Sequence, residues 1–183
     1  YFGTYLLIRN NKWKRGKELI ISVKEVKKYI CCVLAPILIG ILSSMLSKVI
    51  CGVGMATYYH ELIKPGFAPL GIIFPIVWTV LYILMGTSSY IILSQKKSEC
   101  KVKDAMFYYW FQMGLNFLWS ILFFGFQLRL TALIDLMLLL IFVLAMIYKF
   151  YKIKPTSAYL NIPYVFWLIY ALVLNYYIWF INK

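Results

Sequence analysis

The chain contains five long apolar stretches, and each is long enough to cross a lipid bilayer as a helix. A spanning helix needs about 20 mostly apolar residues. The whole sequence is 63% hydrophobic and only 14% charged, which exceeds what a soluble domain of 183 residues needs for a core. We therefore predict an all-α fold, an integral membrane bundle of five transmembrane helices. The predicted spans are 29–53, 70–94, 105–127, 131–150 and 157–181.

The breaks between these stretches are short, so residues 29–183 are predicted to form one five-helix domain. Residues 1–28 form a basic N-terminal extension, for which partial disorder and a basic helix at an anionic lipid surface are both open alternatives. Its apolar start, YFGTYLLI, is too short to span a bilayer. No small-residue cleavage site precedes the basic run, so the segment is a poor match to a signal peptide.

Basic residues outnumber acidic ones by 19 to 6. In a soluble domain this excess would suggest nucleic acid, but between apolar spans it indicates a charged membrane face and no nucleic-acid partner. Fifteen basic residues fall on one side of the predicted bundle. The positive-inside rule then predicts a cytoplasmic N-terminus and a C-terminus outside, and the short basic-flanked chain fits a bacterial cytoplasmic membrane. The basic residues of the opposite side are Lys48, Lys64, Arg129 and Lys183.

Reactive side chains are few. A single histidine, His60, leaves no His-rich metal site, so we expect no metal and no required cofactor. Neither a phosphate-binding glycine loop nor a nucleophile beside a usable base is recognisable, which argues against hydrolysis and phosphoryl transfer. Transport is harder to exclude, although no internal repeat is visible. Four cysteines without a disulfide pattern are predicted to be free, packed thiols: Cys31, Cys32, Cys51 and Cys100.

Polar and aromatic residues recur at helical spacing within three of the spans. Polar groups are costly at bilayer depth, so a face that carries them is expected to point into the bundle. The three faces are Phe74, Trp78, Tyr82 and Met85 in the second span, Gln112, Asn116, Trp119 and Phe123 in the third, and Tyr164, Trp167, Ala171 and Asn175 in the fifth.

Three deep tryptophans, Trp78, Trp119 and Trp167, share their faces with small or polar residues. Planar side chains with amide neighbours suit a pocket for a flat, mostly apolar ligand, and plain packing is the alternative. For Trp179 at the C-terminal end, an interfacial belt is the preferred interpretation. Asp135 in the fourth span could cap its helix, pair with a neighbour, sit in headgroup water or serve a function.

Several ordered segments are similar to one known family. The run YYHELIKPGFAPLGIIFPIVWTVLYILMG resembles the signature of the TspO/MBR family, the tryptophan-rich sensory proteins related to the translocator protein or peripheral-type benzodiazepine receptor. The resemblance continues through LNFLWSILFFG, IDLMLLL and IPYVFWLIYALVLNYYIW, and it covers roughly residues 35–182. Agreement in order and spacing across several segments is more specific than any single motif.

The resemblance implies a five-helix membrane protein, commonly a homodimer, that binds porphyrins and, in animal relatives, cholesterol and synthetic ligands. Family pocket positions match Trp78, Asn116, Trp119, Asp135, Trp167, Ala171 and Asn175. Together with the helical faces, this predicts a receptor or sensor that binds a porphyrin such as protoporphyrin IX or a haem-like molecule between the helices, under the first loop. The predicted ligand-binding residues are Phe67, Trp78, Tyr82, Asn116, Trp119, Tyr164, Trp167, Ala171 and Asn175.

Two other functions stay open, a light-dependent porphyrin-degrading enzyme with Trp78 and Trp167 as redox residues, and a transporter of porphyrins or other amphiphiles. Phe67 stands where the family usually has a tryptophan, which weakens the photochemical alternative because phenylalanine is harder to oxidise than indole. The third span gives poor support for a dimer. Helix interfaces in membranes favour two small residues four positions apart, but here Gly114 is followed four positions later by Leu118.

Three prolines lie close together in LIKPGFAPLGIIFPIVW. Pro65 and Pro69 are predicted to stiffen the first loop, which lowers the entropy lost when the loop closes over a ligand. Pro75 is predicted to lie about one turn into the second span, where a missing backbone donor does little harm. The segment is therefore interpreted as a lid, a helix entry and the first wall of a pocket.

Overall fold

The computed structural model describes residues 5–7, 20–96 and 99–183, and from Val23 onward these form an all-α bundle as predicted. Two three-residue strands, β1 (Tyr5–Leu7) and β2 (Ile20–Ser22), pair antiparallel ahead of the first helix. The helices are α1 (Val23–Cys51), α2 (Met55–Glu61), α3 (Ile73–Leu93), α4 (Glu99–Ser120), α5 (Arg129–Ile153), α6 (Pro155–Tyr159) and α7 (Ile162–Ile181).

Five helical segments have the length to cross a membrane. Four of them are also apolar enough by composition: Val23–Cys51, Ile73–Leu93, Arg129–Ile153 and Pro155–Ile181. The fifth is α4, whose first turns carry charged residues such as Glu99 and Asp104. Its 22 residues extend about 33 Å at 1.5 Å per residue, and a π-helical turn, Ile121–Gly125, follows directly. The predicted five-helix membrane bundle is thereby confirmed.

Helix boundaries differ from the sequence-based ones where apolar character and helical structure do not coincide. The first helix begins at Val23 rather than at residue 29, because lysine and glutamate are good helix formers and extend the helix into the basic segment. The predicted span 157–181 is two helices, α6 and α7, interrupted near Asn161. Pro163 lies in the first turn of α7, and Pro75 in the first turn of α3 as predicted.

The α1 helix packs against α3, α4 and the π-helical turn, while α5 packs against both α4 and α7. Helices α1 and α3 approach each other closely at Gly86. A Cβ atom added there would lie 2.5 Å from the Cα of Val33 and 2.6 Å from the carbonyl oxygen of Cys32. Both neighbours are backbone atoms, so only glycine fits this contact without moving a helix.

A buried polar cluster joins α3, α6 and the start of α7 at one end of the bundle. Ser88 and Ser157 lie with their hydroxyl oxygens 2.8 Å apart, and each hydroxyl also reaches the other residue's carbonyl oxygen. The Asn161 amide nitrogen donates to the Ser88 hydroxyl at 2.7 Å. All three side chains are fully buried. We call this group the serine–asparagine clasp.

Described lysines concentrate at the clasp end, where α1 begins, α3 ends, α4 begins and α5 ends. The opposite end carries Lys48, Lys64, Arg129 and Lys183. The charge asymmetry expected from the sequence is thus present between the two ends of the described bundle.

The four cysteines are free, as predicted. The prediction that all are packed is wrong for Cys31 and Cys100, which are exposed. Cys31 lies in the apolar part of α1, whereas Cys100 lies among charged residues in the first turn of α4.

Candidate functional site

The indole of Trp78 is the centre of an aromatic cluster between α3, α4 and α7. Its ring centroid lies 5.5 Å from Tyr82, 6.0 Å from Tyr164, 6.4 Å from Trp119 and 6.5 Å from Trp167. The three spans carry these side chains on the faces that their spacing predicted. Aromatic pairs at such distances are favourable in offset-stacked and edge-to-face geometry. All three deep tryptophans therefore belong to one contact network.

A chain of hydrogen bonds runs beneath this cluster. The Tyr82 hydroxyl donates to Asn116 Oδ1 at 3.0 Å, and Asn116 Nδ2 donates to the Tyr164 hydroxyl at 3.1 Å. Tyr164 in turn donates to Gln112 Oε1 at 3.1 Å. Each hydroxyl proton and both amide oxygens in this chain have a partner. The network therefore fixes the orientation of the Tyr82 and Tyr164 rings that flank Trp78.

A small, partly open cavity lies between the aromatic cluster and the first loop. Its volume is about 10 Å³, which suffices for one water molecule. The side chains in its wall are tightly packed against one another, so a planar macrocycle enters only if they separate. The lining residues are Tyr59, Phe74, Trp119, Phe123, Phe124, Ala171, Leu174, Asn175 and Ile178.

The π-helical turn brings two consecutive phenylalanines, Phe123 and Phe124, into this cavity wall, and both are buried. An ideal α-helix separates neighbouring side chains by about 100° around its axis. The wider turn accommodates the extra residue, as π-bulges often do near functional sites. The predicted face included Phe123 but not Phe124, although Phe124 lies eight residues after Asn116 and fits the same helical face.

The first loop is tied down at several points. Lys64 donates to three carbonyl oxygens at the end of α2, at 2.8–2.9 Å. The Tyr59 hydroxyl donates to the Pro69 carbonyl oxygen at 3.0 Å, and burial raises the pKa of Tyr59 to about 12. The Asn182 side chain bonds both the backbone N–H and the carbonyl oxygen of Ile63. This network supports the predicted stiffness of the loop.

Phe67 lies outside the cavity wall. Its ring is 47% exposed and packs edge-on against Tyr170 and Tyr177 on the outer part of α7, with centroids 6.5 and 5.4 Å away. The Tyr170 hydroxyl donates to the Phe67 carbonyl oxygen at 3.1 Å. The structure thus places Phe67 at the edge of the loop, apart from the other predicted ligand-binding residues.

Trp167 has two neighbourhoods. One side of the indole contacts Trp78 and Phe74, and the other lines an open apolar groove of about 600 Å³ between α3 and α7. Pro163 and Phe166 also line that groove. The Trp167 side chain therefore separates the aromatic cluster from the groove on the outer surface of the bundle.

Several buried polar atoms have no hydrogen-bond partner within the described part of the chain. They include the indole nitrogens of Trp119 and Trp167, Asn175 Oδ1 and Asp135 Oδ2. Asp135 lies inside α5 and is 5% exposed, so the capping and headgroup-water alternatives are wrong for it. Buried groups of this kind are costly unless something pairs with them. Trp119 and Asn175 line the cavity and Trp167 belongs to the aromatic cluster, so a ligand there can add bonds to these three side chains.

At the loop end of the bundle, Tyr58 from α2 and Arg129 from the start of α5 face each other. Burial raises the pKa of Tyr58, and the neighbouring Arg129 guanidinium opposes that rise. Neither the Tyr58 hydroxyl nor Arg129 Nε has a hydrogen-bond partner among residues 20–96 and 99–183. Sequence reasoning assigned Arg129 only to a membrane face and missed this pairing, because the two residues are far apart in the chain.

The predicted residues thus fall into three groups. Six meet in the aromatic cluster and its hydrogen-bond chain, Ala171 and Asn175 line the cavity, and Phe67 lies apart. The six are Trp78, Tyr82, Asn116, Trp119, Tyr164 and Trp167. Cavity residues not among the predicted binding residues include Tyr59, Leu174 and Ile178.

Comparison with known proteins gives a consistent result. The model of the TspO/MBR family matches residues 32–180. The chain is 35% identical over 159 residues to tryptophan-rich protein TspO of Archaeoglobus fulgidus, covering 86% of this chain and 99% of that one. Identity to tryptophan-rich protein TspO of Chlorobaculum tepidum is 38% over 121 residues, 65% and 75% of the two chains. The translocator protein of Sus scrofa is 35% identical over 153 residues, 82% and 87%.

Proposed function

Because this chain belongs to the TspO/MBR family, we propose that it is a membrane receptor or sensor for porphyrins and other flat, mostly apolar molecules. The observation that carries the proposal is the position of Trp78, whose indole contacts Trp119, Trp167 and two tyrosines at once. Three indoles around one point offer stacking surfaces for an aromatic macrocycle. The ligand is protoporphyrin IX or a haem-like relative.

Individual residues have different tasks in this proposal. Trp78, Trp119 and Trp167 stack on the ligand, and the unpaired Trp119 N–H and Asn175 Oδ1 supply a donor and an acceptor to it. Asn116 is already bonded on both sides by Tyr82 and Tyr164, so it acts as a positioning residue that holds those rings.

Ligand entry requires the aromatic side chains to separate, since the cavity has a volume of about 10 Å³. Trp167 is the natural side chain to move, because it alone of the three tryptophans also borders the outer groove between α3 and α7. The first loop, with Phe67 at its edge, closes the other end of the pocket. Binding is therefore an induced fit, in which the ligand replaces contacts that the aromatic rings make with one another.

We further propose that the protein resides in a bacterial cytoplasmic membrane with its N-terminus in the cytoplasm and its C-terminus outside. The excess of lysine at the clasp end of the bundle supports this orientation. A homodimer is proposed from the family relationship. A cysteine-accessibility assay with membrane-impermeant reagent tests the orientation, since exposed Cys100 lies in the first turn of α4, at the end proposed to be cytoplasmic.

A second candidate function is light-dependent oxidative breakdown of the bound porphyrin. Two indole pairs lie with centroids within 6.5 Å, Trp78 with Trp119 and Trp78 with Trp167, and this proximity favours electron exchange with a bound macrocycle. Phenylalanine at position 67 argues against it. Illumination of the complex distinguishes the two functions: an enzyme bleaches the Soret band faster than its Trp78→Phe variant, and a sensor does not.

The test of the pocket is a titration of purified protein with protoporphyrin IX, followed by tryptophan fluorescence quenching. We expect the double variant Trp78→Phe, Trp167→Phe to bind at least tenfold more weakly. Trp179→Phe is the matched control, because Trp179 packs near the C-terminus against Tyr176 and Lys183 rather than in the cluster. Equal affinity of the wild type and the double variant would reject the pocket assignment.

A further inference from the structure

Two unused hydrogen-bond donors lie together under the first loop. The Tyr58 side chain is 5% exposed, and its ring packs between Phe123 and Phe124 with centroids 6.3 and 6.1 Å away. Its hydroxyl has no partner in the described part of the chain, and neither has the Nε of Arg129 beside it. A buried donor left unpaired costs about as much as a lost hydrogen bond. The Tyr58 oxygen can accept from the guanidinium beside it, so the group that still lacks an acceptor is the phenol proton of Tyr58.

Arg129 is held in place rather than free to extend into water. Its Nη1 donates to the carbonyl oxygen of Asn182 at 3.1 Å, and its own carbonyl oxygen accepts a bond from Asn175 at 3.3 Å. Neither ion pair found in the described residues involves Arg129. The guanidinium therefore carries a positive charge without a carboxylate partner among residues 20–96 and 99–183.

The donors adjoin the cavity of the candidate site. Phe123 and Phe124, which hold the Tyr58 ring, line the cavity, and so does Asn175, which holds the Arg129 backbone. Tyr58 and Arg129 lie directly behind these lining residues, so the edge of a ligand that parts them can reach the pair. A carboxylate is the acceptor that matches it, since guanidinium and phenol donors bond an anionic oxygen more strongly than a neutral one.

We propose that Tyr58 and Arg129 form a carboxylate subsite that anchors an acidic substituent at the edge of the bound ligand. The inference deepens the proposed porphyrin function and rests on it, since the ring must occupy the aromatic cluster for its edge to reach the loop. It assigns the ligand class more narrowly: flat, apolar molecules with an acidic arm are preferred over neutral molecules with the same ring.

The experiment compares protoporphyrin IX, which carries two propionates, with its dimethyl ester, which has the same ring and no ionisable carboxylate. We expect Tyr58→Phe and Arg129→Gln each to weaken binding of the free acid about tenfold and to leave binding of the dimethyl ester unchanged. Equal losses for both compounds, or no loss for either, would overturn the subsite while leaving the pocket standing. Absence of quenching by both compounds would reject the pocket itself, and with it the subsite.

Matched controls separate the subsite from general effects of charge and folding. Lys48→Gln removes an exposed cation from the same end of the bundle, and Tyr29→Phe removes a hydroxyl at the other end, where it already bonds Thr87. Neither is expected to change the preference for the free acid. Tyr58→Phe deletes an unpaired buried hydroxyl, so its thermal stability without ligand should equal or exceed that of the wild type. If Arg129→Gln fails to fold, the result for Tyr58→Phe decides.

Discussion

Trp78 and Trp167 lie edge to face, with ring centroids 6.5 Å apart and planes at 88°. Because Trp78 also contacts Trp119 and Tyr164, its removal opens a hole at the centre of the bundle rather than at one seam. We expect Trp78→Ala to lower the free energy of unfolding by roughly 3 kcal/mol or more. Detergent-based unfolding measures the loss, and Trp179→Ala should cost far less. Equal losses would contradict the central packing role of Trp78.

Asn116 holds two tyrosine hydroxyls, so its replacement leaves both without their partner. Asn116→Leu is expected to cost about 1–2 kcal/mol of stability. Tyr82→Phe, which removes only one bond of the chain, should cost less, and the two changes combined should be less than additive because they share that bond. Strict additivity in this double-mutant cycle would show that the hydrogen bond contributes nothing.

Gly86 permits the close approach of α1 to α3. Gly86→Ala should destabilise the bundle by about 1–3 kcal/mol, since the added methyl group would meet backbone atoms that cannot rotate away. Gly114→Ala is the control, because a Cβ at that position meets open space and alanine is the better helix former. Thermal unfolding in detergent should lower the midpoint for the first variant and leave or raise it for the second. A tolerated Gly86→Ala would mean that the two helices can separate at little cost.

Stability is expected to fall at high pH through Tyr59. Burial raises its pKa to about 12, whereas an unfolded phenol titrates near 10. Below about pH 10 both states keep the proton and the contribution is constant; between about pH 10 and 12 only the unfolded state loses it, so stability falls as pH rises. Tyr59→Phe should flatten that part of the profile. The measurement is the unfolding midpoint of both proteins from about pH 9 to 11.5, and parallel profiles would contradict the prediction.

Sequence periodicity predicted the number of spans and the inward faces well, because the bilayer makes each buried amide expensive and so gives Asn116 and Asn175 a strong signal. It predicted helix ends less well. The start at Val23 and the break near Asn161 depend on backbone hydrogen bonding rather than on apolar character. A hydropathy pattern does not detect helix ends of this kind.

Other structural features could not be predicted from the sequence for a different reason. Phe124 lies in the π-helical turn, whose change of helical geometry no regular period anticipates. The pairing of Tyr58 with Arg129, and the bond of Asn182 to Ile63, join segments far apart in the chain. Such contacts follow from how the helices meet, which a single sequence does not encode in any local pattern.

The serine–asparagine clasp determines how the bundle can deform. With Ser88, Ser157 and Asn161 bound to one another at the lysine-rich end, α3 and α7 cannot part there without breaking buried hydrogen bonds. If the two helices separate, they therefore rotate about that end, and the displacement increases with distance from the clasp. Trp167 lies in α7 beyond the clasp, so a small rotation of the helix there displaces its indole further. The C-terminal part of α7, beneath the first loop, is displaced more again.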